Sequence, residues 1–239
     1  MEIIAAANYE EMSQMAATFL MHKVCNARKV TLGLATGGTP LGTYRRLVKY
    51  HQVEGISFQG VQTFNLDEYV GLGKMHPGSY HSYMETHLFR WIDIDPCQTH
   101  LPNGEAVDLK LECARYEELI RSRGGIDIQV LGIGSNGHIG FNEPGTPFDT
   151  RTHVVALADS TRRANARYFS GETDVPYQAI TMGIGTILDS RQILLLASGI
   201  GKAAAIRHLI EGNKDRQFPA SALLDHPDVT VIVDQSASN

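Results

Sequence analysis

The chain has 239 residues, of which 43% are hydrophobic and 20% are charged, and its formal net charge is -5 at pH 7. This length and composition predict a soluble globular protein with a single domain over residues 1–239. Lysine and arginine (21 residues) are outnumbered by aspartate and glutamate (26 residues) and are not clustered, which argues against a nucleic-acid-binding surface.

Short apolar segments alternate with longer amphipathic segments along the chain. In chain order, the predicted elements are a helix at 9–28, a strand at 29–35, a helix at 41–51, a strand at 61–66, helices at 79–91 and 108–123, strands at 126–133 and 153–157, a helix at 161–169, strands at 179–182 and 192–197, a helix at 201–211 and a strand at 229–233. Strands that alternate with helices without a long linker are typical of βαβ units. The sequence therefore predicts an α/β fold with a mostly parallel central sheet.

Four of the predicted strands end in loops that are rich in glycine or polar side chains. These loops follow Ala35, Leu66, Ile133 and Ala197. Ligands of open parallel sheets bind beyond the carboxyl ends of the strands. The four loops are therefore expected to meet around one binding site.

The loop after the strand at 126–133 carries the strongest signal of catalysis. Its glycines allow tight turns and the close approach of a ligand, and it presents Asn136, His138 and Glu143 within eight residues. A histidine titrates near neutral pH and a nearby carboxylate can orient it, so this segment predicts an active-site loop. A plain strand-to-helix turn with a surface histidine is the structural alternative.

The same loop also matches the dinucleotide-binding fingerprint G-x-G-x-x-G at Gly132, Gly134 and Gly137. That fingerprint requires a long helix directly after the glycines, whereas Pro144 and Pro147 would interrupt such a helix. A dinucleotide site is therefore the less favoured interpretation.

Two further loops are candidates for holding a phosphate group. Thr36, Gly37, Gly38 and Thr39 lie between a strand and a helix, where exposed amides and hydroxyls can form an anion cradle. A tight turn is the structural alternative there. The loop that ends at Lys202 is not a Walker A loop, because no Ser or Thr follows its lysine. Lys202 is nevertheless a candidate phosphate ligand, with a solvated helix residue as the alternative.

Charged side chains at two more places are candidate site residues. Asp67 and Glu68 follow the strand at 61–66, and one of these carboxylates is a candidate general base, the alternative being ordinary solvated loop charges. Arg167 lies in the predicted helix at 161–169 and is a candidate phosphate ligand, the alternative being a basic helix face.

The cysteines and the N-terminal segment bear on the cellular compartment. Cys25, Cys97 and Cys113 fit neither a zinc pattern nor a disulfide framework, which indicates a reducing compartment. The N-terminal segment lacks the basic stretch and apolar core of a signal peptide, and no apolar run approaches the ~20 residues of a membrane span. We therefore expect a cytoplasmic protein without membrane contact.

Five segments of the chain carry motifs that together resemble one known protein family. They are ATGGTPLGTY (35–44), FNLDEYVG (64–71), GSNGHIGFNEP (134–144), DSTRRANARYF (159–169) and SGIGKA (198–203). In this order they resemble the glucosamine-6-phosphate deaminase family, and the resemblance runs over nearly the whole chain. The wider superfamily, which includes 6-phosphogluconolactonase, shares the first and last segments, so it is the pair at 64–71 and 134–144 that points to the deaminases.

The resemblance implies a Rossmann-like three-layer sandwich, no metal and no organic cofactor. It implies the conversion of D-glucosamine 6-phosphate and water into D-fructose 6-phosphate and ammonia. In that reaction His138, supported by Asn136 and Glu143, would move the proton while the sugar ring opens. Asp67 would take the proton from C2 of the open aldose and return one at C1. The residues that would hold the phosphate are Thr36, Gly37, Gly38, Thr39, Arg167 and Lys202.

Asn136 departs from those family members that carry aspartate at this position. Asparagine can orient the imidazole of His138 by a hydrogen bond, but it cannot stabilise the imidazolium by charge. The pKa of His138 is therefore expected to be lower than an aspartate would make it.

The resemblance also bears on regulation. Longer, hexameric family members bind an anionic activator between subunits, with cations at the positions of His153 and Val155 and with a C-terminal extension beyond the position of Asn239. The differences at these positions predict a non-allosteric monomer.

Two other functions stay open at this point. A 6-phosphogluconolactonase would also use a phosphate cradle and a histidine, but it needs no base at C2. A sugar-phosphate sensor on the same fold would carry an appended DNA-binding segment, and no helix-turn-helix motif precedes the first predicted strand.

Overall fold

Two sheets organise the fold in a computed structural model of the chain, which describes residues 1–169 and 171–238. Within these ranges the strands are β1 (Glu2–Ala6), β2 (Val30–Leu34), β3 (Val61–Asn65), β4 (Asp67–Tyr69), β5 (Thr99–His100), β6 (Ile128–Gly132), β7 (His153–Ala156), β8 (Gln178–Thr181), β9 (Gln192–Ala197) and β10 (Val229–Asp234). The α-helices are α1 (Tyr9–Asn26), α2 (Leu41–Glu54), α3 (Tyr80–His87), α4 (Leu109–Ser122), α5 (Asp159–Asn165), α6 (Ile184–Leu188), α7 (Ala203–Glu211) and α8 (Gln235–Ser238). Short 3-10 helices cover Phe89–Trp91, Pro96–Gln98, Ala166–Tyr168, Glu172–Asp174, Ile200–Lys202 and Pro219–Asp225.

The larger sheet lies between two layers of helices. Its seven strands follow the order β1-β10-β9-β6-β2-β3-β5, and each neighbouring pair is parallel. Met12 of α1 and Leu47 of α2 belong to one hydrophobic cluster, while Tyr116 of α4 and Ile206 of α7 belong to another. The predicted α/β sandwich with a mostly parallel central sheet is therefore confirmed.

The strand β9 shows that both faces of this sheet are covered. Ile193 and Leu195 belong to the cluster that contains α4 and α7, whereas Leu194 and Leu196 belong to the cluster that contains α1 and α2. Successive side chains of a strand point to opposite faces, so the two clusters lie on opposite sides of the sheet. This explains why the segment is a continuous apolar run rather than an alternating one.

The smaller sheet corrects part of the prediction. The segments predicted as strands at 153–157 and 179–182 form β7 and β8, which join β4 in an antiparallel sheet of order β4-β8-β7. The sequence pattern does not predict β4, whose Asp67 pairs with Thr181 far along the chain. Pairing of this kind depends on tertiary context and leaves no local signal in three residues. The edge strand β1 also escapes the pattern.

Two predicted helices are interrupted near the site. The predicted helix at 161–169 is α5 followed by the 3-10 helix Ala166–Tyr168, so Arg167 lies on the tighter turn. The predicted helix at 201–211 begins as the 3-10 helix Ile200–Lys202, after Gly199 at a φ of 90° that favours glycine. Tightening of this kind is common at helix ends.

Candidate active site

The four loops after β2, β3, β6 and β9 meet around one cavity of about 740 Å³, as predicted from the parallel sheet. A volume of this order fits a small-molecule site. The predicted site residues that line it are Thr36, Gly37, Gly38, Thr39, Asp67, Asn136, His138, Arg167 and Lys202. Glu143 does not line the cavity and instead accepts a hydrogen bond from the side chain of Asn136, which does.

His138 is oriented by an amide rather than directly by a carboxylate. Its Nδ1 lies 2.7 Å from Asn136 Oδ1, and Asn136 Nδ2 donates to Glu143 Oε2 over 2.8 Å. Because Nδ2 of the amide is engaged with the carboxylate, Oδ1 is the acceptor and the imidazole Nδ1 carries the proton. Nε2 of the neutral imidazole is then the proton acceptor.

Thr161, which the sequence pattern does not single out, extends this chain of hydrogen bonds. Its hydroxyl donates to Glu143 Oε1 over 2.7 Å. Both oxygens of Glu143 are thus engaged, one by Thr161 and the other by Asn136. Since Thr161 lies on α5, the orientation of Glu143 is tied to the helix that precedes Arg167.

The surroundings of His138 favour the neutral imidazole. Burial lowers the pKa of His138, the Glu143 carboxylate raises it in part, and the charge of Lys202 lowers it further. Burial is the largest of these causes, and Glu143 is the carboxylate that opposes it. Glu143 acts across the amide, because its Oε2 lies 3.8 Å from His138 Nδ1.

Two glycines shape the loop that carries His138. A Cβ on Gly134 would lie 2.3 Å from His138 Nδ1, and a Cβ on Gly137 would lie 2.2 Å from the ring of Phe218. Gly137 also has a φ of 83°, which favours glycine. The next α-helix described after this loop is α5, so the helix that a dinucleotide site requires does not follow the glycines.

The structure separates the two adjacent carboxylates after β3. Oε1 of Glu68 accepts from the backbone amides of Tyr69 and Tyr80, each over 2.9 Å. Its Oε2 accepts from the amide of His81 over 3.0 Å and from the His81 side chain over 3.1 Å. Glu68 therefore anchors the first turn of α3, where a carboxylate complements the helix dipole. Asp67, in contrast, accepts no hydrogen bond from any residue that the structure describes.

Asp67 has the surroundings of a strengthened base. It is 6% exposed, and burial together with the charge of Glu68 raises its pKa from 3.8 to about 8. Gly140 leaves space beside it, since a Cβ there would lie 3.0 Å from Thr181 Oγ1 and 3.6 Å from Asp67 Oδ2. A buried carboxylate with a raised pKa in a cavity is a candidate for proton transfer.

The loop between β2 and α2 presents unpaired backbone donors. In the described parts of the chain, the amides of Gly37, Gly38 and Thr39 have no hydrogen-bond acceptor. The loop leads directly into α2, whose N-terminus adds partial positive charge. The combination is suited to an anion.

Arg167 and Lys202 bring two cations to this loop. Arg167 Nη2 lies 4.0 Å from the position that a Cβ of Gly38 would take. Burial and the neighbouring charge of Arg167 lower the pKa of Lys202. Across residues 1–169 and 171–238, no carboxylate forms an ion pair with either side chain. Two neighbouring cations without carboxylate partners are suited to a phosphate dianion.

Other residues around the cavity escape sequence reasoning. Asp234, at the end of β10, accepts hydrogen bonds from Ser198 Oγ over 2.5 Å and from the Gly199 amide over 3.1 Å, and so shapes the loop after β9. Tyr80 and Tyr83 of α3 line the cavity. Tyrosines on a helix are usually interpreted as core residues, so their position here becomes visible only in the fold.

Two other kinds of site find no support in the described ranges. No group of three or more His, Cys, Asp or Glu side chains there could hold a metal ion. None of the described helices combines the length and the apolar character that a bilayer span requires.

The chain belongs to the family described as glucosamine-6-phosphate isomerases/6-phosphogluconolactonase, which matches residues 5–232. Two relatives are more specific. The glucosamine-6-phosphate deaminase of Geobacillus sp. (strain WCH70) is 58% identical over 237 residues, covering 99% of this chain and 94% of the relative. Glucosamine-6-phosphate deaminase 1 of Bacillus subtilis (strain 168) is 55% identical over 239 residues, covering 100% of this chain and 99% of the relative. The resemblance carried by the five motifs is thereby confirmed.

Solved structures separate the two branches of the family. A monomeric glucosamine-6-phosphate deaminase matches with a TM-score of 0.98 and 55% identity, covering 100% of this chain and 99% of the other. A 6-phosphogluconolactonase from Thermotoga maritima matches with a TM-score of 0.76 and 19% identity, covering 98% of this chain and 99% of the other. At 19% identity, the likeness to the lactonase shows only that the two proteins share a fold.

Proposed function

We propose that this protein converts D-glucosamine 6-phosphate and water into D-fructose 6-phosphate and ammonia. The observation that carries the proposal is the buried, unpaired carboxylate of Asp67 in the same cavity as His138. An aldose–ketose isomerisation requires a base at C2, whereas hydrolysis of a lactone does not. Relatives at 58% and 55% identity that carry the deaminase name support the same reaction.

The hydrogen-bond chain at His138 supports ring opening as the first step. Nε2 of the neutral imidazole takes the proton of the C1 hydroxyl, the C1–O5 bond breaks as the carbonyl forms, and the imidazolium returns the proton to O5. Asn136 keeps the ring in place during this exchange. Glu143, at 3.8 Å from Nδ1, stabilises the transient positive charge through the low-dielectric interior.

Asp67 serves the second step, which moves hydrogen from C2 to C1. The ionised carboxylate takes the C2 proton, the electron pair of the C2–H bond forms the C1–C2 double bond of an enolamine, and the oxygen at C1 takes a proton from the ammonium group of the substrate. The protonated carboxyl then returns a proton to C1, which leaves an imine at C2. Water adds to the imine carbon and ammonia leaves, so the products are D-fructose 6-phosphate and ammonia.

The experiment that tests this function compares two substrates. Purified protein should release ammonia from D-glucosamine 6-phosphate and should leave 6-phosphogluconolactone hydrolysis at the rate without enzyme. Hydrolysis of the lactone alone would assign the protein to the other branch of the family. Binding of the amino sugar phosphate without turnover would assign it to the sensors.

The pH profile of kcat/KM should have the midpoint of its acid limb near pH 8, and this midpoint should shift to lower pH in Glu68→Gln. Asp67 must be ionised to accept the C2 proton, and because its pKa is raised to about 8, most of the free enzyme is inactive below that pH. Glu68→Gln removes the second cause of the shift, so its acid limb should move to lower pH. The substrate amine also titrates, but its titration is the same for both proteins. A pH profile that does not move in a Glu68→Gln protein of normal melting temperature would contradict the prediction.

Arg167→Ala and Lys202→Ala should each raise KM for the phosphorylated sugar far more than for unphosphorylated glucosamine. A charged hydrogen bond contributes ~1.5–3 kcal/mol, so the increase in KM should be roughly ten- to a hundredfold. Lys214→Ala is the matched control, because Lys214 pairs with Asp225 at the surface. Steady-state kinetics on both sugars provide the measurement. Equal effects on the two sugars would show that neither cation meets the phosphate.

We infer that the protein acts in the cytoplasm as a non-allosteric monomer. Its likeness to a monomeric deaminase supports the monomer, and the uncharged Val155 supports the lack of activation. His153, on β7, is directed at the Arg151 carbonyl oxygen, 2.9 Å from its Nδ1. Rate curves should be hyperbolic, and N-acetylglucosamine 6-phosphate should act by competition alone. A sigmoidal curve that this compound makes hyperbolic, or a hexamer in light scattering, would refute the inference.

A further inference from the structure

Three tyrosine hydroxyls from three helices bind the backbone carbonyls of the loop at 35–38. Tyr83 of α3 donates to the Gly37 oxygen over 2.6 Å, and Tyr44 of α2 donates to the Ala35 oxygen over 2.5 Å. Tyr9 of α1 donates to the Gly38 oxygen over 3.1 Å. Successive helices on one face of the sheet thus each supply a contact to the same short loop.

The Tyr9 hydroxyl makes a second contact that ties the loop to the following helix. It accepts the backbone amide of Gly42, in the first turn of α2, over 2.7 Å. One hydroxyl therefore joins a loop carbonyl to a helix N-terminal amide. This fixes the loop relative to α2.

These contacts determine where the loop amides point. In a planar trans peptide the C=O and the following N–H point in opposite directions. A hydroxyl that holds the Gly37 carbonyl therefore turns the Gly38 amide to the opposite side, and a hydroxyl on the Gly38 carbonyl does the same for the Thr39 amide. Gly38 and Thr39 are among the residues whose amides have no acceptor in the described chain and which line the cavity.

The loop needs such restraint because its own residues do not provide it. Gly37 has a φ of 90°, and glycine populates several backbone conformations at similar energy. In some of these conformations a carbonyl oxygen would face the anion. Burial raises the pKa of Tyr83 and of Tyr44 well above the ordinary tyrosine value, so both hydroxyls stay protonated and remain donors.

We propose that Tyr83, Tyr44 and Tyr9 are positioning residues that hold the carbonyls of this loop away from the cavity and so present its amides to the substrate phosphate. The proposal rests on the proposed function, since it takes the loop as the phosphate site. The tyrosines act on substrate affinity through the loop and take no part in proton transfer. Their loss therefore affects KM and leaves kcat in place.

Tyr83→Phe and Tyr9→Phe are the test variants, because each keeps the ring and removes one hydroxyl from the loop. Tyr44 is fully buried, so replacing it would affect both the loop and the core.

Tyr50→Phe is the matched control. The Tyr50 hydroxyl forms hydrogen bonds with Gln14 over 2.6 Å and Thr18 over 3.1 Å between α1 and α2, and Tyr50 does not line the cavity. The measurements are kcat and KM for glucosamine 6-phosphate, calorimetric titration with inorganic phosphate, and melting temperature.

The expected result is a roughly three- to tenfold rise in KM and in the dissociation constant of inorganic phosphate for Tyr83→Phe and Tyr9→Phe, with kcat unchanged. Tyr50→Phe also removes one tyrosine hydroxyl, so its melting temperature should fall by about as much as that of the two test variants. Its KM and its dissociation constant for inorganic phosphate should stay as in the wild type. Wild-type phosphate affinity in both test variants, or a fall in kcat at constant KM, would overturn the proposal. A wild-type protein that releases no ammonia would refute the proposed function instead, while the phosphate titration would still decide the role of the tyrosines.

Discussion

Replacing Asp67 by asparagine should abolish ammonia release while D-glucosamine 6-phosphate still binds. Loss of a positioned base typically lowers the rate by ~10²–10⁴-fold. The structure sharpens this expectation, because the neighbouring carboxylate of Glu68 already accepts four hydrogen bonds, three from the first turn of α3 and one from the amide of Tyr69, and cannot replace the base. Exchange of the C2 hydrogen with solvent deuterium, followed by NMR, is the direct measurement. Normal exchange in Asp67→Asn would remove this residue from the mechanism.

A gain in stability distinguishes loss of the base from loss of the fold. The pKa of Asp67 is raised from 3.8 to about 8, so its favourable contribution to folding is fully present below pH 3.8 and is lost as the pH rises through about 8. Asparagine has no such loss. The difference in melting temperature, Asp67→Asn minus wild type, should therefore increase between about pH 5 and pH 8. A variant that melts lower than the wild type at every pH would show damage to the fold rather than removal of a base.

The location of the site follows from the sequence because the sheet is parallel. Loops after separate strands carry Thr36, Asp67, His138 and Lys202, and parallel strands bring their carboxyl ends to one edge. No knowledge of the side-chain contacts is needed for that step. The motifs of the family then suggest a role for each residue.

The different contacts of neighbouring side chains could not be predicted from the parallel sheet. The local pattern leaves Asp67 and Glu68 equivalent, and the family resemblance favours Asp67 without a physical reason. The amides of α3 supply that reason, because they engage Glu68 and not Asp67. Thr161 reaches Glu143 across 18 residues of chain, and Tyr83 reaches the Gly37 carbonyl across 46. A hydroxyl that binds a carbonyl leaves no periodic pattern, because the contact is made by tertiary packing.

The antiparallel sheet illustrates the same limit at the level of the fold. The segments of β7 and β8 were correctly predicted as strands. Their partner β4 was not, because it has only three residues and lies far away in the chain. Strand formation there depends on the pairing of Asp67 with Thr181, which also fixes the candidate base Asp67 beside Gly140. The strand that positions this candidate base is thus one that local sequence reasoning does not find.

Replacing His138 by glutamine should block ring opening and spare the chemistry at C2. Glutamine keeps a polar side chain of similar length but cannot accept and return a proton, so turnover of the cyclic substrate should fall by ~10²–10⁴-fold. Asp67→Asn is the matched control, because it removes the second step and leaves the contacts of His138 with Asn136 intact. NMR exchange spectroscopy of the two anomers of bound D-glucosamine 6-phosphate measures ring opening directly. Asp67→Asn should still accelerate anomer exchange, and His138→Gln should not.

The affinity for an open-chain compound completes this test. The reduced amino sugar phosphate, which has no ring to open, should bind His138→Gln nearly as tightly as the wild type, since the phosphate loop and Asp67 are unchanged. Substrate with a raised open-chain fraction should restore part of the turnover, because Asp67 still serves C2. If the defect were equal for cyclic and open-chain compounds, or if anomer exchange in His138→Gln matched that in Asp67→Asn, ring opening could not be the step that His138 serves. The hydrogen-bond chain from Asn136 through Glu143 to Thr161 would then need another purpose.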